Sequence, residues 1–211
     1  MRWTNWSVRD SVEGSVLTKT GSKTMPLTAE TFAALVIEDS QGRWEIDRQK
    51  VREKPPMSFG HNQTARNLAR QLILQLSPDL FDVLQNSGHA LLPNGDSYIP
   101  DIVVVPNALT SPLQMNPKLF EAYEHPLPFV AEIWSPSTEN EDIDATIPGY
   151  RLRGDLEIWR IHPFDRTASI WRRKVGGEYQ ESEVRTGSIE LFAIPGITID
   201  VGQLFGDPIR N

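Results

Sequence analysis

Two short apolar runs, each carrying one acid, constrain this chain more than any other feature: Pro100-Asp101-Ile-Val-Val-Val105 and Pro128-Phe-Val-Ala-Glu-Ile-Trp134. Both are of strand length, rich in β-branched or aromatic side chains, and opened by proline, so both read as buried strands. Asp101 opens the first and Glu132 sits inside the second. A carboxylate in such surroundings is costly unless it is ionised against a cation or hydrogen-bonded. Two of them on neighbouring strands would make a hard-oxygen site suited to Mg²⁺ or Mn²⁺. A plainer account also fits the pair: an aspartate capping a turn and a glutamate paired with an arginine.

The rest of the chain supplies helices and antiparallel strands around this pair. Ala65, Leu68, Ala69, Leu72 and Leu76 recur at helical spacing, which predicts a helix over 61–76 ended by Ser77-Pro78. Arg66 and Arg70 stand one turn apart on another face of it, placed either to grip a phosphate backbone or simply to be solvated. A shorter helix should begin at Leu27-Thr28, with Thr28 as its cap and Leu27 and Phe32 as a hydrophobic staple. Trp44-Glu45-Ile46-Asp47 alternates apolar and acidic residues and predicts a hairpin with 49–54, closed by Pro55-Pro56. That alternation puts Glu45 on the face opposite Trp44 and Ile46.

Between the two buried strands, residues 106–126 are rich in proline, asparagine and leucine and read as a long loop or flap. After the second strand, Thr138 with Glu141 has capping-box spacing, and Glu139, Glu141 and Asp142 suit the positive end of a helix dipole. Pro148-Gly149 should break or shorten that helix. Alternating segments at 156–161, 168–173, 179–184 and 197–201 read as antiparallel strands completing the sheet. The whole is therefore an α/β (α+β) chain, with an N-terminal extension over 1–26 and one domain over 27–211.

Composition narrows the chemistry. There is no cysteine and there are only four histidines among 211 residues, so thiolate sites and cysteine nucleophiles are excluded and a zinc site is disfavoured. No glycine-rich phosphate loop or serine-nucleophile elbow is present. The net charge of −7 argues against a whole-surface grip on nucleic acid, although a cluster of Arg and Lys from Arg151 to Lys174 allows one basic face. No apolar run has signal-peptide or membrane-span length, and the expected compartment is the cytoplasm.

In this order the chain carries Trp44-Glu45-Ile46-Asp47, His61 at the opening of a helix, and Tyr98-Ile-Pro-Asp-Ile-Val-Val-Val105. Ala131-Glu-Ile-Trp-Ser-Pro-Ser-Thr138, Asp142, Tyr150, Gly154 and Glu157-Ile-Trp159 follow. This succession resembles the Uma-type putative restriction endonuclease family, a branch of the PD-(D/E)xK superfamily, over roughly residues 27 to 165. The resemblance implies a restriction-endonuclease-like mixed central sheet flanked by helices. It also implies a metal-dependent endonuclease acting on DNA, with Asp101 and Glu132 as Mg²⁺ (or Mn²⁺) ligands and Glu45 as a further catalytic acid. His61, Asp142 and Tyr150 would be accessory, with Arg66 and Arg70 as nucleic-acid contacts and a homodimer by analogy. One departure stands out. The lysine that such sites use to stabilise charge on the phosphate is expected at Thr146 or Trp134, and neither residue carries a positive charge, so Arg151, Arg153 or Lys50 would have to substitute from elsewhere. The alternative is therefore a nuclease-fold protein that has lost its chemistry and acts as a nucleic-acid or protein binding module.

Overall fold

The computed structural model describes residues 28–39, 41–114, 116, 119–136 and 143–206. The first half runs α1 (Ala29–Glu38), β1 (Trp44–Asp47), β2 (Lys50–Glu53), α2 (Phe59–Ile73), β3 (Phe81–Gln85), β4 (His89–Leu91), β5 (Ser97–Tyr98), β6 (Ile102–Pro106) and α3 (Asn107–Gln114). The second runs β7 (Ala122–Tyr123), β8 (Phe129–Ile133), α4 (Ile143–Arg153), β9 (Glu157–His162), β10 (Thr167–Arg173), β11 (Tyr179–Val184), β12 (Ser188–Glu190), β13 (Thr198–Asp200) and α5 (Val201–Leu204). No described helix is long and apolar enough to cross a membrane.

The two apolar runs become β6 and β8, paired antiparallel with Ile102 opposite Ala131 and Val104 opposite Phe129. They are the centre of a six-stranded sheet in the order β11-β10-β9-β8-β6-β3, mixed because β8 and β9 run parallel, joined through α4. A five-stranded sheet, β2-β1-β5-β4-β7, stands beside it and carries the predicted hairpin.

Alternation along β6 and β8 divides the core in two. On one face Ile102, Val104, Phe129 and Ala131 pack beneath α2, whose Leu68 and Leu72 are wholly buried. Each such leucine contributes about 2 kcal/mol of transfer free energy. On the other face Val103, Val105 and Val130 meet Tyr98, Leu92 and the α4 residues Ile147 and Tyr150. With both faces covered, the runs have no polar side to show, which is why they read as nearly unbroken apolar sequence. Asp101 and Glu132 lie two residues from Val103 and Val130, so both carboxylates point to the α4 side.

Several elements depart from the sequence expectation. α2 begins at Phe59 rather than at residue 61, because Ser58 caps it and accepts from the His61 N–H at 3.3 Å. It ends at Ile73, with Leu76 still buried in the following turn. The stretch 106–126 is not one loop: it holds α3 and β7. The 197–201 segment does not complete the main sheet, because β13 pairs with β12 in a separate two-stranded ribbon. Strands β3, β4 and β5 are short and weakly alternating, and no sequence signal marked them.

α4 also runs straight through Pro148. Pro148 is the sixth residue of α4, so the helix forgoes the bond to the carbonyl of residue 144, and it continues with Ile147 and Tyr150 buried on either side of the proline. Gly149 beside it is required by close approach: a Cβ there would stand 2.2 Å from Leu92 Cδ1. α1 is capped as expected, with Thr28 Oγ1 accepting from the Thr31 N–H. Leu27 of the proposed staple, the Thr138–Glu141 capping box and the extension over 1–26 lie outside the described residues.

Candidate active site

The hairpin of β1 and β2 turns through Arg48 and Gln49, both at positive φ, which is the two-residue turn that matches strand twist. Its register sets Glu45 opposite Arg52 and Asp47 opposite Lys50. Because side chains alternate, Lys50, Arg52 and the next residue of that series, Lys54, share a face with Glu45 and Asp47. The Lys54 N–H bonds the Arg43 carbonyl at 2.7 Å, extending the pairing past the end of β2. The acid-bearing face of the hairpin is turned inward, and Glu45 is buried rather than exposed.

This inward face meets the mouth of β6. Lys54 Nζ donates to Asp101 Oδ1 at 2.8 Å and to the Ile99 carbonyl at 2.5 Å. Asp101 Oδ2 accepts from His61 Nε2 at 2.8 Å and from the Ile133 N–H at 2.7 Å. Glu45 accepts from the Ile99 N–H at 2.9 Å on one oxygen and from Arg52 at 3.0 Å on the other. Glu132 Oε1 accepts from the Tyr150 hydroxyl at 2.5 Å. Ser135 anchors the far side, its Oγ accepting from the Ser58 N–H that opens α2 and so fixing the turn that delivers His61.

Glu45, Lys54, His61, Asp101, Glu132 and Tyr150 are each less than a tenth exposed, with Arg52 half-buried beside them, and the electrostatics follow from that. Burial works against the charge on Lys54, yet the Asp101, Glu132 and Glu45 carboxylates outweigh it and hold the ammonium well above its ordinary pKa. Burial likewise raises Asp101, but Lys54 and His61 bring it well below the usual carboxylate range. Glu132 goes the other way. Burial, reinforced by Asp101 and Glu45, pushes it up despite Lys54 and the tyrosine hydroxyl. Burial and the Glu132 charge raise Tyr150 as well. Glu45 has Arg52 and Asp101 has Lys54, whereas among the described residues Glu132 has only a hydroxyl in hydrogen-bond contact.

The structure therefore brings Glu45, His61, Asp101, Glu132 and Tyr150 together. Asp142 lies outside the described residues. Arg66 and Arg70 are exposed on α2, about 140° and 180° round the helix from His61, so they do not join the cluster. Among the described residues no three His, Asp or Glu side chains converge closely enough to hold a metal ion by themselves.

The residue that sequence reasoning missed is Lys54. Thr146 is buried one turn before Tyr150 on α4 and Trp134 is stacked on His162, so neither expected lysine position is charged. A buried lysine reaches Asp101 from the hairpin instead. Its signal was the alternation Lys50, Arg52, Lys54 facing Glu45 and Asp47, which places three cations on the acidic face of a two-stranded ribbon.

A model of the Uma2 family, described as "Putative restriction endonuclease", matches residues 29–202. No curated protein sequence matches the chain. Among solved structures, the chain resembles one described as a "putative nuclease belonging to DUF820" from Anabaena variabilis ATCC 29413. The TM-score is 0.61 at 17% identity, over 77% of this chain and 89% of that one, which speaks for a common fold.

Proposed function

The chain belongs to the Uma2 family, and from that premise we propose that it hydrolyses phosphodiester bonds in DNA, with Mg²⁺ or Mn²⁺ held by Asp101 and Glu132. The observation that carries this reading is the buried Lys54–Asp101 pair, which puts a fixed positive charge among the carboxylates. The rival reading, a degenerate binding module, rested on Thr146 standing where a lysine is expected; Lys54 removes that ground.

The donor set suits such an ion. Asp101 and Glu132 offer hard oxygens from adjacent strands, and Glu132 is the acid of the cluster without a cation in direct contact. Mg²⁺ is commonly held by one or two carboxylates, with water and substrate phosphate filling the other positions. When bound, such an ion supplies Lewis acidity toward the phosphate and a more acidic water.

The chain's own groups do the rest. Two of the three Lys54 N–H bonds go to Ile99 and Asp101, which leaves the third to meet a phosphate oxygen as negative charge builds on it. His61 and the Ile133 N–H fix the second oxygen of Asp101, so the carboxylate cannot swing. The Tyr150 hydroxyl does the same for Glu132, and Arg52 ties Glu45 to the hairpin that carries Lys54. Cutting both strands of a duplex would take two such sites, as in a homodimer.

The test is nicking of supercoiled plasmid with Mn²⁺, wild type against Glu132→Ala from parallel preparations. Nicking by wild type that disappears in the variant is the expected result. Equal nicking by both, or none by either, would sink the enzyme reading.

A further inference from the structure

Beyond the carboxylate cluster, the same face of the sheet carries an aromatic surface that the reading above does not use. Trp134 follows Glu132 by two residues and so points to the same side. Its N–H bonds the Ile161 carbonyl at 2.8 Å, carrying the β8–β9 pairing one step further and setting Trp134 beside His162. The two rings stack at a centroid distance of 4.3 Å with 29° between their planes. Phe164 meets Trp134 edge-on at 5.5 Å and remains 58% exposed. A Cβ at Gly60 would lie 3.5 Å from Phe164 Cζ, so the start of α2 touches this ring one residue before His61. Phe59, the residue before that glycine, is 77% exposed.

The aromatic surface thus lies between the strand that delivers Glu132 and the helix that delivers His61. Single exposed apolar side chains are ordinary, but here the exposed Phe164 ring meets a stacked Trp–His pair at the edge of the site, and exposed Phe59 lies one residue from the glycine that touches it. Arg160 stands opposite Glu132 in the parallel register, on the face shared with Trp134 and His162.

We propose that Trp134, His162, Phe164 and Phe59 stack the unpaired bases of a DNA strand entering the site, so that single-stranded DNA is the preferred ligand. This rests on the reading of Asp101 and Glu132 as the place where the phosphodiester is handled. Flat rings contiguous with a phosphate-handling site meet bases only where those bases are unstacked, and every base has a π-face to offer. A paired duplex hides those faces, so the platform discriminates by strandedness rather than by sequence.

The experiment is fluorescence anisotropy with a fluorescein-labelled 12-nucleotide strand, free or annealed to its complement, in low salt without divalent metal. Wild type is compared with Phe164→Ala and with the double variant Phe59→Ala/Phe164→Ala, both at exposed positions where the fold is not at stake. Wild type should prefer the single strand, and Phe164→Ala should weaken that binding about tenfold while leaving duplex binding unmoved. No preference in wild type, unchanged binding in both variants, or equal losses on single strand and duplex each overturn the proposal. The plasmid assay separates this from the nuclease reading. Glu132-dependent nicking with unchanged binding in both variants removes the platform alone, and a Phe164-dependent preference without such nicking removes the nuclease alone.

Discussion

The two ends of the β8–β9 pair both bury charge, and they do so in opposite ways. At the start of β9, Arg153 grips Asp155 through Nε and Nη2, at 3.0 Å and 2.7 Å, and sends Nη1 to the Tyr123 carbonyl. Asp155 also accepts from the Leu127 N–H at 2.7 Å, and both side chains are wholly enclosed. Next to it Glu157 is buried against Arg172, with the Phe192 and Ala193 N–H groups on its second oxygen. There each acid has its own arginine. At the far end, Glu45, Asp101 and Glu132 surround Lys54, and among the described residues the last of them has no cation in hydrogen-bond contact. The difference teaches how to tell a strut from a site. A matched buried pair holds elements together, whereas an excess of acid is a standing electrostatic cost that, on the proposed function, a bound metal ion would offset.

Mutation can break this contrast, most strongly at the strut. Arg153→Ala leaves Asp155 buried and unpaired, and should cost about 3–5 kcal/mol in urea unfolding. A loss below 1 kcal/mol would mean that the pair is not holding the β9 end. The next largest effect sharpens the comparison with a third buried group, His89. It sits against Phe32 and Phe120 with only Ser97 Oγ on Nδ1, and burial lowers its pKa to about 4. The folded-state value lies below the unfolded one near 6.5, so this contribution is intact above pH 6.5. It is lost as pH falls toward 4, by about 3 kcal/mol. His89→Phe should remove that part of the pH slope, read from unfolding midpoints at pH 7 and pH 4.5; an unchanged slope would mean that His89 is not the acid-sensitive group.

At the site the sign should reverse. Glu132→Gln removes a carboxyl that its neighbours disfavour while keeping its shape and a partner for Tyr150. We expect stability unchanged or raised by about 1 kcal/mol, together with loss of Mn²⁺-dependent nicking. A destabilisation like that of Arg153→Ala would erase the distinction between the two ends. The smallest effect lies in the hairpin turn. Arg48→Asn with Gln49→Gly suits the positive φ of both residues and should add about 0.5–1 kcal/mol. Nicking should stay as in wild type, since no charge of the cluster is touched; a drop in nicking would show that the cluster depends on how that turn is built.

Much of the molecule was legible in sequence because period and punctuation carried it. The stripe Ala65, Leu68, Ala69, Leu72 specified α2, the apolar runs specified β6 and β8, and Trp44 to Asp47 specified the hairpin. Asp101 and Glu132 were legible as neighbours because acids in such runs are rare and expensive. What escaped depended on tertiary partners. β4 and β5 are two or three residues long, too short for any period to register, and exist because the hairpin needs a strand beside it. Pro148 looked like a helix breaker, yet α4 continues through it with Ile147 and Tyr150 packed in the core, a tertiary contact that local sequence does not show. Lys54 escaped because it lies just past the end of β2, and its reach to Asp101 is a contact between two sheets that no local pattern shows. The site asks only that an ammonium reach Asp101, and a strand from the other sheet does that as well as a helix.

The central claim is that Lys54 does from the hairpin what a lysine at position 146 would do from α4. The most direct measurement is plasmid nicking with Mn²⁺ by wild type, Lys54→Met, and the double variant Lys54→Met/Thr146→Lys, each checked for folding by thermal melting. Thr146 lies one turn before Tyr150 on the same face, so a lysine there reaches the Glu132 side of the cluster. The account predicts that a folded Lys54→Met protein loses nicking by about a hundredfold or more and that the double variant regains a substantial part of it. A folded Lys54→Met protein that nicks as fast as wild type would contradict it.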